Sequence, residues 1–168
     1  MEQNAELRLP TIAVPIRLAV VGGPLVDAEL FVPDKVRTGR TQLLEDLAAA
    51  LDDESAFVAV RYPNREVRLL AKRAIAWVEA LRSANEDVEF DAEAPSEVVM
   101  LYDRQHRVEI ELLNRSTLFE GSLFDSSAAT RPRVIDHLNQ ARRFLRLWTA
   151  QAQTLINTEQ IAYVSEQR

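Results

Sequence analysis

The segment LINTEQIAYV at residues 155–164 matches the segment LLAKRAIAWV at residues 69–78. Apolar residues occupy the same places in both segments, and the polar break before each isoleucine has the same length. The match continues upstream, since residues 28–31 correspond to residues 121–124 and Phe57 corresponds to Phe144. Self-similarity of this kind indicates an internal duplication, which determines the number of domains and the architecture.

Each half of the chain predicts the same order of elements. Alternating apolar residues indicate strands, and leucines at three-and-four spacing indicate an amphipathic helix. In the first half, the pattern predicts a strand, a turn, a strand, a helix and a further strand at residues 15–21, 22–24, 25–32, 41–51 and 56–61. Residues 67–78 are predicted to form one long strand or two short ones. In the second half, two strands are predicted at residues 108–112 and 118–124, followed by a helix at 130–141 that begins around Pro132. Two more strands are predicted at residues 143–148 and 154–164.

These elements predict an α+β fold of two tandem, duplicated β-β-α-β-β units. Small antiparallel sheets tend to bend into partial barrels because closure removes their edges. We therefore expect two small, strongly bent sheets or partial barrels related by a pseudo-twofold axis. The predicted divisions are a flexible N-terminus, a first unit, an acidic linker and a second unit, at residues 1–11, 12–80, 81–97 and 98–168.

Composition excludes several classes of protein. The hydrophobic content of 47% is enough for a buried core, and no apolar run reaches the length of a membrane span. The acidic start lacks the layout of a secretory signal, so a cytoplasmic location is expected. The absence of cysteine excludes disulfides, thiolate metal sites and thiol catalysis.

The net charge of −6 is concentrated in the predicted linker. Residues 81–97 contain one arginine and six acidic residues, whereas the two predicted units are nearly neutral. A nucleic-acid-binding protein usually carries an excess of positive charge on one face or domain. We therefore expect a protein partner or self-association, with neither nucleic acid nor membrane as the partner.

The strand pairs resemble motifs of the Sm-like family. Residues 108–113, a turn and residues 120–125 resemble the first Sm motif, in which glycine lies at a bend of the returning strand. The matched segments at 69–78 and 155–164 resemble the second motif. The resemblance implies a small bent barrel of Sm-like or SH3-like form, and members of the family form rings and often bind RNA.

The chain also departs from the Sm-like pattern. Family members carry their helix before the first strand, whereas the predicted helix interrupts each unit here. The RNA-binding turn of the second motif corresponds to Lys72 and Arg73 in one half and to Thr158 and Glu159 in the other. On this resemblance, Lys72 and Arg73 are the pair suited to contact a phosphate.

Catalytic motifs are missing from the sequence. His106, in a predicted turn, and His137, on the polar side of the second helix, have no carboxylates at metal-ligand spacing, so we expect both to be solvent-exposed. No G-x-S-x-G elbow and no glycine-rich phosphate-binding loop occurs. We therefore predict that the protein is not an enzyme and uses neither a metal nor another cofactor.

Arginines are the most informative polar residues, because eighteen of them stand against two lysines. Their planar forks suit paired hydrogen bonds to an anionic partner, although a solvated helix balanced by Asp136 explains the same pattern. The predicted contact surface comprises Arg142, Arg143, Arg146 and Trp148. The possible anion-binding residues are Lys72, Arg73, Arg131 and Arg133.

Together these features predict a non-catalytic, self-associating assembly or adaptor module. The alternative is an Sm-like domain that binds RNA or a phosphorylated nucleotide.

Overall fold

The computed structural model describes residues 10–36, 40–81, 104–114, 117–125, 133–150 and 152–167. The acidic linker, most of the predicted N-terminal segment and the predicted helix start around Pro132 lie outside the described residues. Arg131 lies outside them as well.

The described strands form one continuous antiparallel sheet. Its ten strands are β1 (Thr11–Val20), β2 (Leu25–Pro33), β3 (Phe57–Arg61), β4 (Val67–Ala71), β5 (Ile75–Ala80), β6 (Arg104–Leu112), β7 (Leu118–Asp125), β8 (Phe144–Trp148), β9 (Gln153–Asn157) and β10 (Ile161–Glu166). Across the sheet their order is β10-β6-β7-β8-β9-β5-β1-β2-β3-β4.

The predicted α+β fold of two β-β-α-β-β units with separate small sheets or partial barrels is therefore wrong. Strand β5 pairs with β9, so the sheet of the first half continues into the second half without an edge between them. The predicted pseudo-twofold axis is wrong for the same reason, because a twofold relation pairs like strands with like. Here the last strand of the first half pairs with the fourth strand of the second half. The duplication suggested by the sequence match stays a prediction.

The closing segment of each half forms two strands separated by a single 3₁₀ turn, which in the first half is the two-strand alternative. The turns are Lys72–Ala74, between β4 and β5, and Thr158–Gln160, between β9 and β10. Three residues suffice for one such turn, and they redirect the chain so that each following strand crosses to a different neighbour. In the described residues each half therefore contributes five strands to the sheet, whereas the predicted β-β-α-β-β unit has four.

The hairpin of β1 and β2 confirms the alternation predicted for these strands. Ile16 and Leu18 are fully buried, and their partners in the register are Ala28 and Val26. Gly22 has a φ of 71° at the reversal, a conformation that glycine adopts without steric cost. The predicted turn at residues 22–24 is thus confirmed.

Two α-helices occur in the described part, α1 (Arg40–Asp52) and α2 (Val134–Gln140). The leucine stripe that predicted α1 is buried, with Leu47 1% and Leu51 0% exposed. Helix α1 contacts β2 and also β8 of the other half, where Arg146 forms an ion pair with Glu45. Neither described helix has the length and apolar character needed to cross a membrane.

Two apolar cores lie on opposite faces of the sheet where β5 meets β9. Val78 pairs with Leu155, and both belong to the first core, which includes α1. The neighbouring pair, Trp77 and Ile156, contacts the second core. Because successive side chains of a strand point to opposite faces, the junction strands are covered on both sides, and all five residues of β9 are buried.

Asn157 adds a polar contact to this junction. Its Nδ2 donates to the carbonyl oxygen of Ile75 at 2.9 Å, and its Oδ1 accepts from the backbone N–H of Glu159 at 3.0 Å. The side chain is fully buried, so both polar groups depend on these partners.

We expect Asn157→Ala to lower the free energy of unfolding by about 2 kcal/mol, because the substitution removes two hydrogen bonds and leaves a buried carbonyl without its donor. Urea denaturation followed by tryptophan fluorescence measures the loss. Asn139→Ala, at an exposed position of α2, serves as the control. Equal stability of the Asn157 and Asn139 variants contradicts the role assigned to Asn157.

Candidate functional site

The two ends of the sheet are the strands β4 and β10. In the described residues β4 pairs with β3 alone, in a register from Phe57 opposite Ala71 to Arg61 opposite Val67. Strand β10 likewise pairs with β6 alone. The outer side of an edge strand presents a row of backbone N–H and C=O groups that can pair with another strand.

The β4 end carries an exposed apolar surface. Phe57, Val67 and Leu69 are 57%, 53% and 74% exposed, and we call these three residues the β4 edge patch. Val67 and Leu69 lie two residues apart and so share a face, and Phe57 lies on that face opposite Ala71. This face is the one away from the first core, because the neighbouring Val58 and Val60 are buried in that core. Proteins usually protect edge strands with charge or proline. Strand β4 carries one charged residue, Arg68, which lies between Val67 and Leu69 on the opposite face and forms an ion pair with Glu66.

The β10 end carries a mixed apolar and polar surface. Tyr163 is 52% exposed, and its hydroxyl donates to the carboxylate of Glu111 on β6. Ile161 and Val164 are half-buried against the second core. Tyr163 and Val164 are adjacent in the strand, so their side chains point to opposite faces of the sheet.

The predicted contact surface is partly assembled around one cleft. Arg142, Arg146 and Trp148 line a cleft of about 260 Å³ together with His137 and Phe124 of the second half. The rings of Trp148 and Phe124 meet edge to face, with centroids 6.1 Å apart.

Two arginines of the predicted surface have partners within the chain. Arg146 forms an ion pair with Glu45 on α1, and Arg143 donates through Nη1 to the carbonyl of Ser55 at 3.4 Å. Both contacts link the second half to the first. The structure therefore gives these two side chains an internal bridging role, and their contact with a separate partner stays a prediction.

Three of the four possible anion-binding residues, Lys72, Arg73 and Arg133, lie in the described part of the chain and differ in their surroundings. Lys72 is fully buried, with its Nζ 2.5 Å from Oδ1 of Asp53, so it cannot reach a phosphate in solvent. Arg133 is exposed but hydrogen-bonds Asp136, at the start of its own helix. That contact raises the pKa of Arg133 and lowers the pKa of Asp136. Arg73 is exposed at the 3₁₀ turn.

His106 lies in strand β6 rather than in the predicted turn, and its side chain is 13% exposed, so the prediction of an exposed histidine was wrong. Its Nδ1 is 3.2 Å from Oε1 of Glu166, and its Nε2 is buried without a hydrogen-bond partner in the described residues. The described ranges contain no group of three or more His, Asp or Glu side chains that could hold a metal ion.

Comparison of the chain with protein-family models, with curated proteins and with solved structures gives no match. The resemblance to Sm-like domains therefore stays a prediction.

Sequence reasoning missed the β4 edge patch, because the alternation of Val67 and Leu69 around Arg68 predicts a strand without indicating that the strand ends a sheet. The exposure of Val67 and Leu69 depends on the order of the strands in the sheet, which periodicity does not encode.

Proposed function

We propose that the protein is a non-catalytic assembly module that self-associates through the edges of its sheet. The observation that supports this proposal is the β4 edge patch, in which Val67 and Leu69 of the edge strand and Phe57 of the adjacent strand β3 are more than half exposed. In the described residues the outer backbone edge of β4 has no strand partner. An exposed apolar edge of this kind is a template for strand addition by another chain. The partner in this proposal is a second copy of the same chain.

The expected affinity is weak. Burial of the three patch side chains contributes about 5 kcal/mol, which is of the same size as the lower estimates for the entropic cost of association. Backbone hydrogen bonds across the new strand pair, about four at about 1 kcal/mol each, supply the remaining binding free energy. A dissociation constant near the millimolar range, about 4 kcal/mol of binding free energy, is therefore expected.

We expect Leu69→Lys to weaken self-association by at least about 30-fold, because it replaces an apolar contact of about 2 kcal/mol with a charge that loses hydration on burial. Sedimentation equilibrium over a concentration series measures the effect. Ile135→Lys is the matched control, since Ile135 is an apolar residue on α2 that is 55% exposed and lies outside the patch. A wild-type chain that stays monomeric throughout the series overturns the proposed function.

The alternative function, binding of RNA or a phosphorylated nucleotide, is favoured by one observation. Arg142 and Arg146 line the same cleft as Trp148, and arginine beside an aromatic ring suits a phosphate and a stacked base. Against it, Arg146 already pairs with Glu45. Phosphate contacts make affinity fall steeply with salt, so titration of a labelled single-stranded RNA at two salt concentrations separates the alternatives. Salt-sensitive RNA binding by a monomeric chain favours the alternative.

A further inference from the structure

We infer that strand β10 of one copy adds to strand β4 of the next copy, in the register that β5 and β9 use inside the chain. This inference rests on the proposed function and specifies its partner surface. It makes the association head-to-tail, with two different surfaces in each contact.

The order of strands within the sheet supports this arrangement. The first half reads β5-β1-β2-β3-β4 across the sheet, and the second half reads β10-β6-β7-β8-β9. Strands β5 and β10 thus occupy the same end of their respective halves. Strands β4 and β9 occupy the other end. Inside the chain β5 pairs with β9, which leaves β10 and β4 as the two ends of the sheet. The two open edges are therefore the counterparts of the two strands already joined.

The matched sequence segments fix the register of the proposed contact. Inside the chain Trp77 lies opposite Ile156, and Val78 lies opposite Leu155. The segments at residues 69–78 and 155–164 place Tyr163 at the position of Trp77 and Leu69 at the position of Leu155. Transferring the internal register therefore pairs Tyr163 with Leu70 and Val164 with Leu69 of the next copy.

Burial at the internal junction shows what the proposed contact would cover. Leu155 is 2% exposed in the junction, whereas its counterpart Leu69 is 74% exposed. Phe144 is also 2% exposed, and its counterpart Phe57 is 57% exposed. Leu155 and Phe144 are buried by the core of the opposite half, which includes α1. Leu69 and Phe57 of the β4 edge patch are thus exposed, whereas their counterparts in the internal junction are buried.

In a head-to-tail chain of copies, one terminal copy keeps a free β4 edge and the other keeps a free β10 edge. Further copies can therefore add until a ring closes. Contacts between unlike surfaces form rings when the rotation between copies closes, and open chains when it does not. Contacts between like surfaces, β4 on β4, stop at a dimer. The two modes of association are therefore separable by variants that block one edge at a time.

Disulfide formation tests the register directly, because the natural chain contains no cysteine. A chain with Val164→Cys is mixed with a chain with Leu69→Cys under mild oxidation, and non-reducing electrophoresis measures the disulfide-linked dimer. Paired positions of neighbouring strands meet the distance that a disulfide needs. We expect faster and more complete linkage for this pair than for the controls, Val164→Cys with Val67→Cys and Val164→Cys with Ile135→Cys.

Mixing of blocked variants tests the head-to-tail mode. Leu69→Lys blocks β4 and leaves β10 intact, whereas Tyr163→Lys blocks β10 and leaves β4 intact. We expect each variant alone to associate at least about 30-fold more weakly than the wild type, and an equimolar mixture to form a 1:1 dimer that grows no further. Circular dichroism and urea denaturation establish that both variants are folded.

The outcomes separate the two proposals. If the wild-type chain associates but the mixture gives no dimer and the Val164–Leu69 pair links no better than its controls, the head-to-tail inference is overturned and the proposed function stands. Unchanged association of the Tyr163 variant indicates contact of β4 with β4 and also overturns the inference. A wild-type chain that is monomeric at every concentration overturns both.

Discussion

Asp53→Ala is expected to lower the free energy of unfolding by about 3 kcal/mol, because it removes the carboxylate that pairs with the buried ammonium of Lys72. The side chain of Lys72 is 0% exposed, and its Nζ lies 2.5 Å from Oδ1 of Asp53 and 3.3 Å from the Asp53 carbonyl oxygen. Breaking a buried ion pair on one side leaves a charge without hydration. We place the cost at the lower end of the usual range because the Asp53 side chain is itself 54% exposed.

A second substitution tests whether the uncompensated charge causes the loss. Lys72→Met removes the ammonium but keeps an unbranched apolar chain of similar length, so Asp53→Ala combined with Lys72→Met is expected to recover most of the lost stability. Urea denaturation of the single and double variants gives the coupling between the two positions. The neighbouring Glu54→Ala is the control and should change the stability by less than about 0.5 kcal/mol. A double variant as unstable as Asp53→Ala contradicts the assignment.

The same pair gives a pH dependence of known sign. Burial raises the pKa of the Asp53 carboxyl, but hydrogen bonds from Lys72 and Ser55 outweigh burial and hold that pKa below its ordinary value of 3.8. As the pH falls past this value, the unfolded chain takes up the proton before the folded chain does, so stability decreases. Below about pH 4 the stability of the wild type should therefore fall more steeply on acidification than that of the Asp53→Ala, Lys72→Met variant, which lacks this carboxyl.

The residues that follow local patterns were predictable from the sequence. The leucines of α1, including Leu47 and Leu51, repeat at helical spacing and are buried. Ile16 and Leu18 alternate as half-buried strands do. The turn at Gly22 was also predictable, because glycine next to proline ends a strand.

The periodicity did not locate the two 3₁₀ turns, because neither contains a local turn signal; a turn at these residues was implied only by the resemblance to the second Sm motif. Lys72–Ala74 and Thr158–Gln160 have no glycine or proline, and apolar residues continue on both sides of each turn. Burial of Lys72 was equally unpredictable, since lysine is almost never fully buried unless it is paired. Its partner, Asp53, lies nineteen residues away along the chain.

The single sheet escaped prediction because periodicity specifies which face of a strand is buried and not which strand lies beside it. The pairing of Trp77 with Ile156 joins residues that are far apart in sequence. The β4 edge patch depends on the same long-range choice. If β4 lay inside the sheet, as β9 does, the side chain of Leu69 would belong to a core.

Gly121 has one role in the Sm-like resemblance and a different one in the sheet. The resemblance to the first Sm motif assigns this glycine to a bend of the returning strand. In the structure the backbone of β8 passes so close that a Cβ at Gly121 would lie 2.4 Å from the carbonyl oxygen of Trp148 and 2.9 Å from Cγ of Leu147. Strand β7 reaches β8 here, where Ser122 lies opposite Trp148.

Gly121→Ala is therefore expected to lower the free energy of unfolding by about 3 kcal/mol. The carbonyl belongs to the backbone of β8, which is held on its other side by β9, and Leu147 is fully buried in the second core. Neither neighbour can yield without a shift of the whole strand. For a chain of this size the melting temperature should fall by about 6–12 °C, as measured by circular dichroism.

Two other glycines provide controls that separate close contact from backbone strain. At Gly23 the nearest atom to an added Cβ is 3.5 Å away, so Gly23→Ala should change the stability by less than about 0.5 kcal/mol. Gly22 has open space around it but a φ of 71°, so Gly22→Ala should cost about 1 kcal/mol through backbone strain. The expected order of destabilisation is Gly121, then Gly22, then Gly23. A Gly121→Ala variant as stable as Gly23→Ala would mean that β7 and β8 do not approach each other at this position, and the continuous sheet across the second half would lose its closest contact.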